Sequence, residues 1–120
     1  MTDSLINKFK SDTFYVPGSV VVFGGDKEVT VTTWDHDSRA AGVVCGEATD
    51  EGLPVMLNGR VRCQVIGPVS KGDLLVTSRL AGVAQRMIIE SYKPGCVLGK
   101  SLENLAVNNV EVIEIVVGRF

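Results

Sequence analysis

Only one short stretch of this chain gathers side chains of the kind that do chemistry. Trp34-Asp35-His36-Asp37 places the sole histidine between two carboxylates and next to the sole tryptophan. Asp35 and Asp37 lie two residues apart, so in an extended segment they share a face and could offer oxygen ligands to a hard cation such as Ca²⁺. The rest of an oxygen shell is not written nearby. The competing reading is a solvated polar turn, because Asp and Ser are ordinary turn formers, with Trp34 packed at its edge. His36 with Ser38 or Cys45 could in principle form a nucleophile–base pair, but no nucleophile elbow or third orienting group surrounds them. The expected catalytic set, metal set and cofactor are therefore none.

Cys45, Cys63 and Cys96 are an odd number of thiols with wide spacing and no CxxC pattern, each within two positions of a valine. With one histidine they cannot complete an ordinary zinc site, so they read as free thiols buried in strands and kept reduced. Arg60 and Arg62 alternate with Val61 and Cys63 and share one strand face. That face is either solvated or a salt-bridged subunit contact. Two arginines and a formal net charge of −2 give no footprint for nucleic acid or for an anionic membrane. No run of 18 apolar residues occurs and no signal-peptide core opens the chain, so a soluble, unexported protein is expected.

The elements that would carry these residues are strands. Of 120 residues, 45% are hydrophobic but only 6% aromatic, and 13 are glycine. That composition suits an aliphatic core and short strands joined by tight turns. Val16-Pro17-Gly18-Ser19 turns into a strand Val20–Phe23, and Gly24-Gly25-Asp26-Lys27 connects it to a strand at Glu28–Trp34. Ala40–Cys45 is the next apolar strand. Val55–Leu57, Asn58-Gly59 and Arg60–Ile66 read as a hairpin with an Asn-Gly turn. Ser70-Lys71-Gly72-Asp73 reverses the chain, with Gly72 free to take positive φ and Asp73 able to bond nearby backbone. Leu74–Ser78 and Val83–Met87 form a second hairpin around Leu80-Ala81-Gly82, and Cys96–Lys100 follows. The final run Val110–Phe120 is apolar at both parities, which predicts cover on both faces. In a domain this small the second cover would be another subunit, seated on Ile113, Ile115 and Val117 or on their opposite-parity neighbours.

Residues 1–13 read differently. Thr2-Asp3-Ser4 can cap a short helical turn with Leu5, Ile6 and Phe9 on one side, too short to stand alone. The expected organisation is an N-terminal arm over 1–13 and one all-β domain over 14–120, a small barrel or sandwich of mostly antiparallel strands.

Six segments stand in a characteristic order: Val16–Val22, Asp37–Val44, Leu57–Val61, Lys71–Ser78, Gly99–Glu103 and Glu111–Val117. Together, over residues 15–120, they resemble a β domain at the C-terminal ends of phage tail-fibre and related bacterial surface proteins. That resemblance implies a non-enzymatic module that assembles, often as a homotrimer, in a virion built in the bacterial host cytoplasm. A free-standing copy would be a capsid decoration or a tail or fibre accessory, tethered to a capsid, tail or fibre protein by the arm through Leu5, Ile6 and Phe9. The other class of function to weigh is a carbohydrate- or receptor-binding module of a fibre, using Trp34 and Tyr92 as stacking surfaces.

Overall fold

A computed structural model describes residues 4–118 and 120. They form nine strands and one short 3-10 turn: β1 Leu5–Phe9, β2 Val20–Phe23, β3 Val29–Thr30, β4 Ala40–Val44, β5 Leu53–Ile66, β6 Leu74–Thr77, β7 Ala84–Arg86, β8 Gly99–Ser101 and β9 Val110–Val117, with the 3-10 turn at Ile89–Ser91. The architecture is all-β, as the composition predicted, and it contains a closed five-stranded barrel plus additional strands.

The organising element is β5, 14 residues long. Its first half pairs with β1 and β4, and its second half runs antiparallel to β9 from Gly59↔Val117 to Ile66↔Val110. The barrel closes in the order β5-β7-β6-β8-β9 and back to β5, with β5–β7 its only parallel pairing. The other sheet runs β3-β2-β4-β5-β1. The chain after β1 then crosses to β3, where Glu28 and Val29 both donate N–H to the Lys10 carbonyl.

The sequence reading of a hairpin at Asn58-Gly59 is corrected here, because the strand continues through it. Gly59 has φ +137°, and a Cβ there would press on the Ser4 side chain and the Met56 sulfur. A residue that only glycine tolerates thus marks the point where β5 changes partners instead of a reversal of the chain. The helical turn expected at the arm is also corrected: Leu5–Phe9 is a strand, hydrogen-bonded to β5. Isolated, those residues would not hold a helix, and an available strand edge satisfies their backbone groups.

Two aliphatic cores result. Cys63, Val65, Leu75, Ile113, Ile115 and Val117 fill the barrel together with Val20 and Val43. Val21, Val29, Val44, Leu53 and Val55 form the second, covered by the half-buried Phe9 and Tyr15. Adjacent residues Val20/Val21 and Val43/Val44 divide between the cores, so β2 and β4 are the strands covered on both faces. The final strand alternates instead: Ile113, Ile115 and Val117 point into the barrel, and Val110 and Val112 lie exposed outside. The predicted turn at residues 70–73 is present, with Gly72 at φ +91° and the Asp73 carboxylate accepting the Ser70 N–H at 2.8 Å.

Candidate functional site

The Trp34–Asp37 stretch lies on the connection from β3 to β4, and its polar groups are spent on holding that connection in place. Thr32 Oγ1 donates to Asp37 Oδ2 at 2.8 Å and accepts the Trp34 N–H at 3.1 Å. Thr77 Oγ1, at the end of β6, donates to the Trp34 carbonyl and accepts the Asp37 N–H, both at 2.8 Å. Arg39 closes on the Asp37 carboxylate through its backbone N–H, Nε and Nη2 at 2.8–3.0 Å. Asp37 is only 4% exposed. The Arg39 guanidinium beside it, against the opposing effect of burial, holds its carboxyl down at about 2. A carboxylate so fully committed has little left for a cation, and Asp35 turns to a different partner. Among the described residues, no group of three or more His, Cys, Asp or Glu is placed to hold a metal.

His36 is buried, 1% exposed, and has φ 53°, the left-handed region. Its Nε2 accepts the Ile88 N–H at 3.0 Å, which places the ring proton on Nδ1, donated to Asp35 Oδ2 at 2.8 Å. That hydrogen bond is the main reason the Asp35 carboxyl is lowered, with Arg79 a smaller contributor. Both ring nitrogens are occupied, by Asp35 and by backbone, and neither reaches Ser38 or Cys45. The nucleophile–base pairing considered from spacing is not assembled.

The thiols are free. Cys63 lies in the barrel core, where burial pushes its thiol well above the ordinary range. Cys45 is half-buried against the Pro54 carbonyl and shifted up by burial as well. Cys96 is buried and accepts the Lys93 N–H at 3.5 Å. Arg60 bonds Glu114 on β9 at 2.5 Å, and Arg62 donates to the Val112 carbonyl at 3.2 Å. Both arginines thus brace β5 against β9 from the outside.

What the fold leaves open is a groove of mixed lining in which several apolar side chains stand exposed. The groove, of about 610 Å³, runs where the two sheets meet, lined by Leu5, Phe23, Ala40, Ala41, Leu57 and Val97 among others. It continues past Tyr92 and Phe120. Of the residues expected to bind a partner, Leu5 and Ile6 are about half exposed. Phe9 packs inward, its ring edge-on to Phe23 at 5.5 Å. Ile113, Ile115 and Val117 are core, so the outward residues of that strand are Val110 and Val112. Trp34 is 67% exposed, with the Arg39 guanidinium 5.3 Å from its ring centre. Thr77 and Arg39 had no signal in the sequence as parts of this cluster. Thr77 lies 40 residues from Asp37, and the turn-forming Asp37-Ser38-Arg39 gives no hint of an ion pair.

No protein-family model matches the chain, and no curated protein sequence matches it.

Proposed function

We propose that this chain is a non-enzymatic structural protein of a phage virion. It associates with further copies of itself, three in the simplest arrangement, and docks on a larger capsid, tail or fibre assembly. Two lines support the reading. The order of six sequence segments resembles a virion β module, and the groups capable of chemistry are consumed in bracing the fold. The observation that carries it is an exposed apolar surface: Leu5, Phe23, Tyr92 and Phe120, 44–55% exposed, line two adjoining grooves that share Phe23. Contiguous exposed apolar surface marks interaction sites. In this reading the chain assembles in the bacterial host cytoplasm and ends in the particle.

Light scattering at micromolar concentration tests the first half, with a stable oligomer expected and a monomer counting against it. Copy number and position in a purified particle test the second. Exposure of Trp34 and Tyr92, 67% and 51%, favours one other reading, a glycan- or receptor-binding module. A glycan array showing selective binding that is lost in Trp34→Ala would establish that reading instead.

A further inference from the structure

Residues 88–95 bulge from the barrel between β7 and β8 and carry Ile88, Ile89 and Tyr92, 48%, 67% and 51% exposed. Their own backbone bonds are local: Ser91 N–H to the Ile88 carbonyl and Tyr92 N–H to the Ile89 carbonyl. The segment is flanked by Met87 N–H on the Leu74 carbonyl and Leu98 N–H on the Leu75 carbonyl. Between those two anchors, among the described residues, one hydrogen bond ties the segment to the loop that underlies it, from Ile88 N–H to His36 Nε2 at 3.0 Å.

That bond exists only while Nε2 keeps its lone pair. We propose that His36 is a proton-operated latch, holding the Ile88 end of this segment against the domain when neutral and releasing it when its ring takes a second proton. Protonated, Nε2 becomes a donor and faces the Ile88 N–H, donor against donor, inside a buried site. The charged groups around the ring do not rescue the bond. Asp35, on the same loop, already holds Nδ1 and would hold the imidazolium there. Arg79, from the β6–β7 loop, lies 3.7 Å from Asp35 and opposes the added charge. β6 contributes the neutral Thr77, whose carbonyl accepts the His36 N–H at 3.2 Å. The Asp37 carboxylate is turned to Arg39 and Thr32, and Glu90, in the 3-10 turn, is exposed. Whatever balance these groups strike, the singly protonated ring binds Ile88 and the doubly protonated ring cannot. The left-handed backbone at His36, uncommon for a residue with a side chain, shows that the surrounding structure enforces this placement.

The chain has a single histidine, so its ring ¹⁵N signals are unambiguous. They should show the Nδ1–H tautomer at pH 8. On titration to pH 4.5, ring protonation should coincide with a fall of roughly tenfold to a hundredfold in hydrogen-exchange protection at Ile88, measured relative to Val65 in the core. In His36→Gln, which does not titrate, that pH dependence should vanish. The proposal is overturned if the ring is the Nε2–H tautomer at pH 8 or never protonates in this interval. It is equally overturned if the ring protonates while protection at Ile88 stays constant, a result readable on the native chain even if the variant does not fold.

Discussion

Replacing Asp37 by asparagine should cost about 2–3 kcal/mol at neutral pH, and most of that cost should disappear in acid. The charge contribution follows from the carboxyl being held at about 2 in the folded chain against 3.8 in the unfolded one. A depression of that size is worth about 2 kcal/mol. Because the folded value is the lower of the two, the stabilisation is fully present above about pH 4. It decays as pH falls, to about 1 kcal/mol at pH 3 and under about 0.5 kcal/mol at pH 2. The neutral amide also presents an NH₂ to a site built from the donors of Arg39 and Thr32, which adds a lost charge-assisted bond. Urea denaturation of both proteins at pH 7, 5, 4, 3 and 2.5 reads the difference directly. Asp35 and the other carboxylates titrate in both proteins and cancel. The midpoint of thermal unfolding at pH 7 should fall by about 6–15 °C. A gap that stays constant from pH 7 to pH 2.5, or that is below about 0.5 kcal/mol at pH 7, would refute the assignment of Asp37 as the charged keystone of the β3–β4 connection.

Phe9→Ala should destabilise by about 1–3 kcal/mol, because Phe9 covers the second core, and removing residues 1–12 should lower the melting temperature further by taking β1 off β5; an unchanged melting curve for the truncated chain would show that the arm is dispensable. Intact mass should show three free thiols, with Cys45 reacting first and Cys63 protected from a thiol reagent until urea unfolds the chain; fast modification of Cys63 in the native state would contradict its burial. Gly59→Ala should cost about 1–3 kcal/mol, since it combines φ +137° with a clash against Met56, whereas Gly72→Ala, at φ +91° with open space around it, should cost about 1 kcal/mol; equal effects at the two sites would argue that only backbone strain matters. Val112→Lys should leave the monomer's unfolding curve unchanged but weaken self-association measured by light scattering, if the outer face of β9 is where copies meet.

The parts of the fold visible in the sequence are those set by local chemistry. The Lys71-Gly72-Asp73 reversal, the connection at Gly24–Lys27 and the β6–β7 hairpin each rest on a residue that can take positive φ or bond its own backbone. What was misread depended on distant partners. Asn58-Gly59 has the composition of a tight turn, yet β1, β4 and β9 all dock along β5 and hold it straight through that point. Leu5, Ile6 and Phe9 suit a helical turn as well as a strand, and only the free edge of β5 decides between them. The two-parity pattern of β9 led to an expected second cover over Ile113, Ile115 and Val117 or their opposite-parity neighbours; the first set faces the barrel, and Val110 and Val112 of the other set are the residues left outward. The doubly buried strands proved to be β2 and β4, whose short runs Val20-Val21-Val22 and Val43-Val44 are too brief to reveal two-sided burial by periodicity. The Asp37 cluster was recognised as the only polar concentration, but its meaning rested on Thr77, invisible at that distance.

Because one strand serves both cores, the two halves of this molecule cannot fail separately. Losing β9 strips the second half of β5 of its antiparallel neighbour, and losing β1 leaves the first half paired on one side only, with β4, so loosening either end frees a strand that the other end also needs. Unfolding should therefore be a single cooperative event despite two distinct hydrophobic centres. Folding should be slow for the chain's size, since β5 must find partners far before and far after it in the sequence. Until both have arrived, its unpaired edges remain available to neighbouring chains.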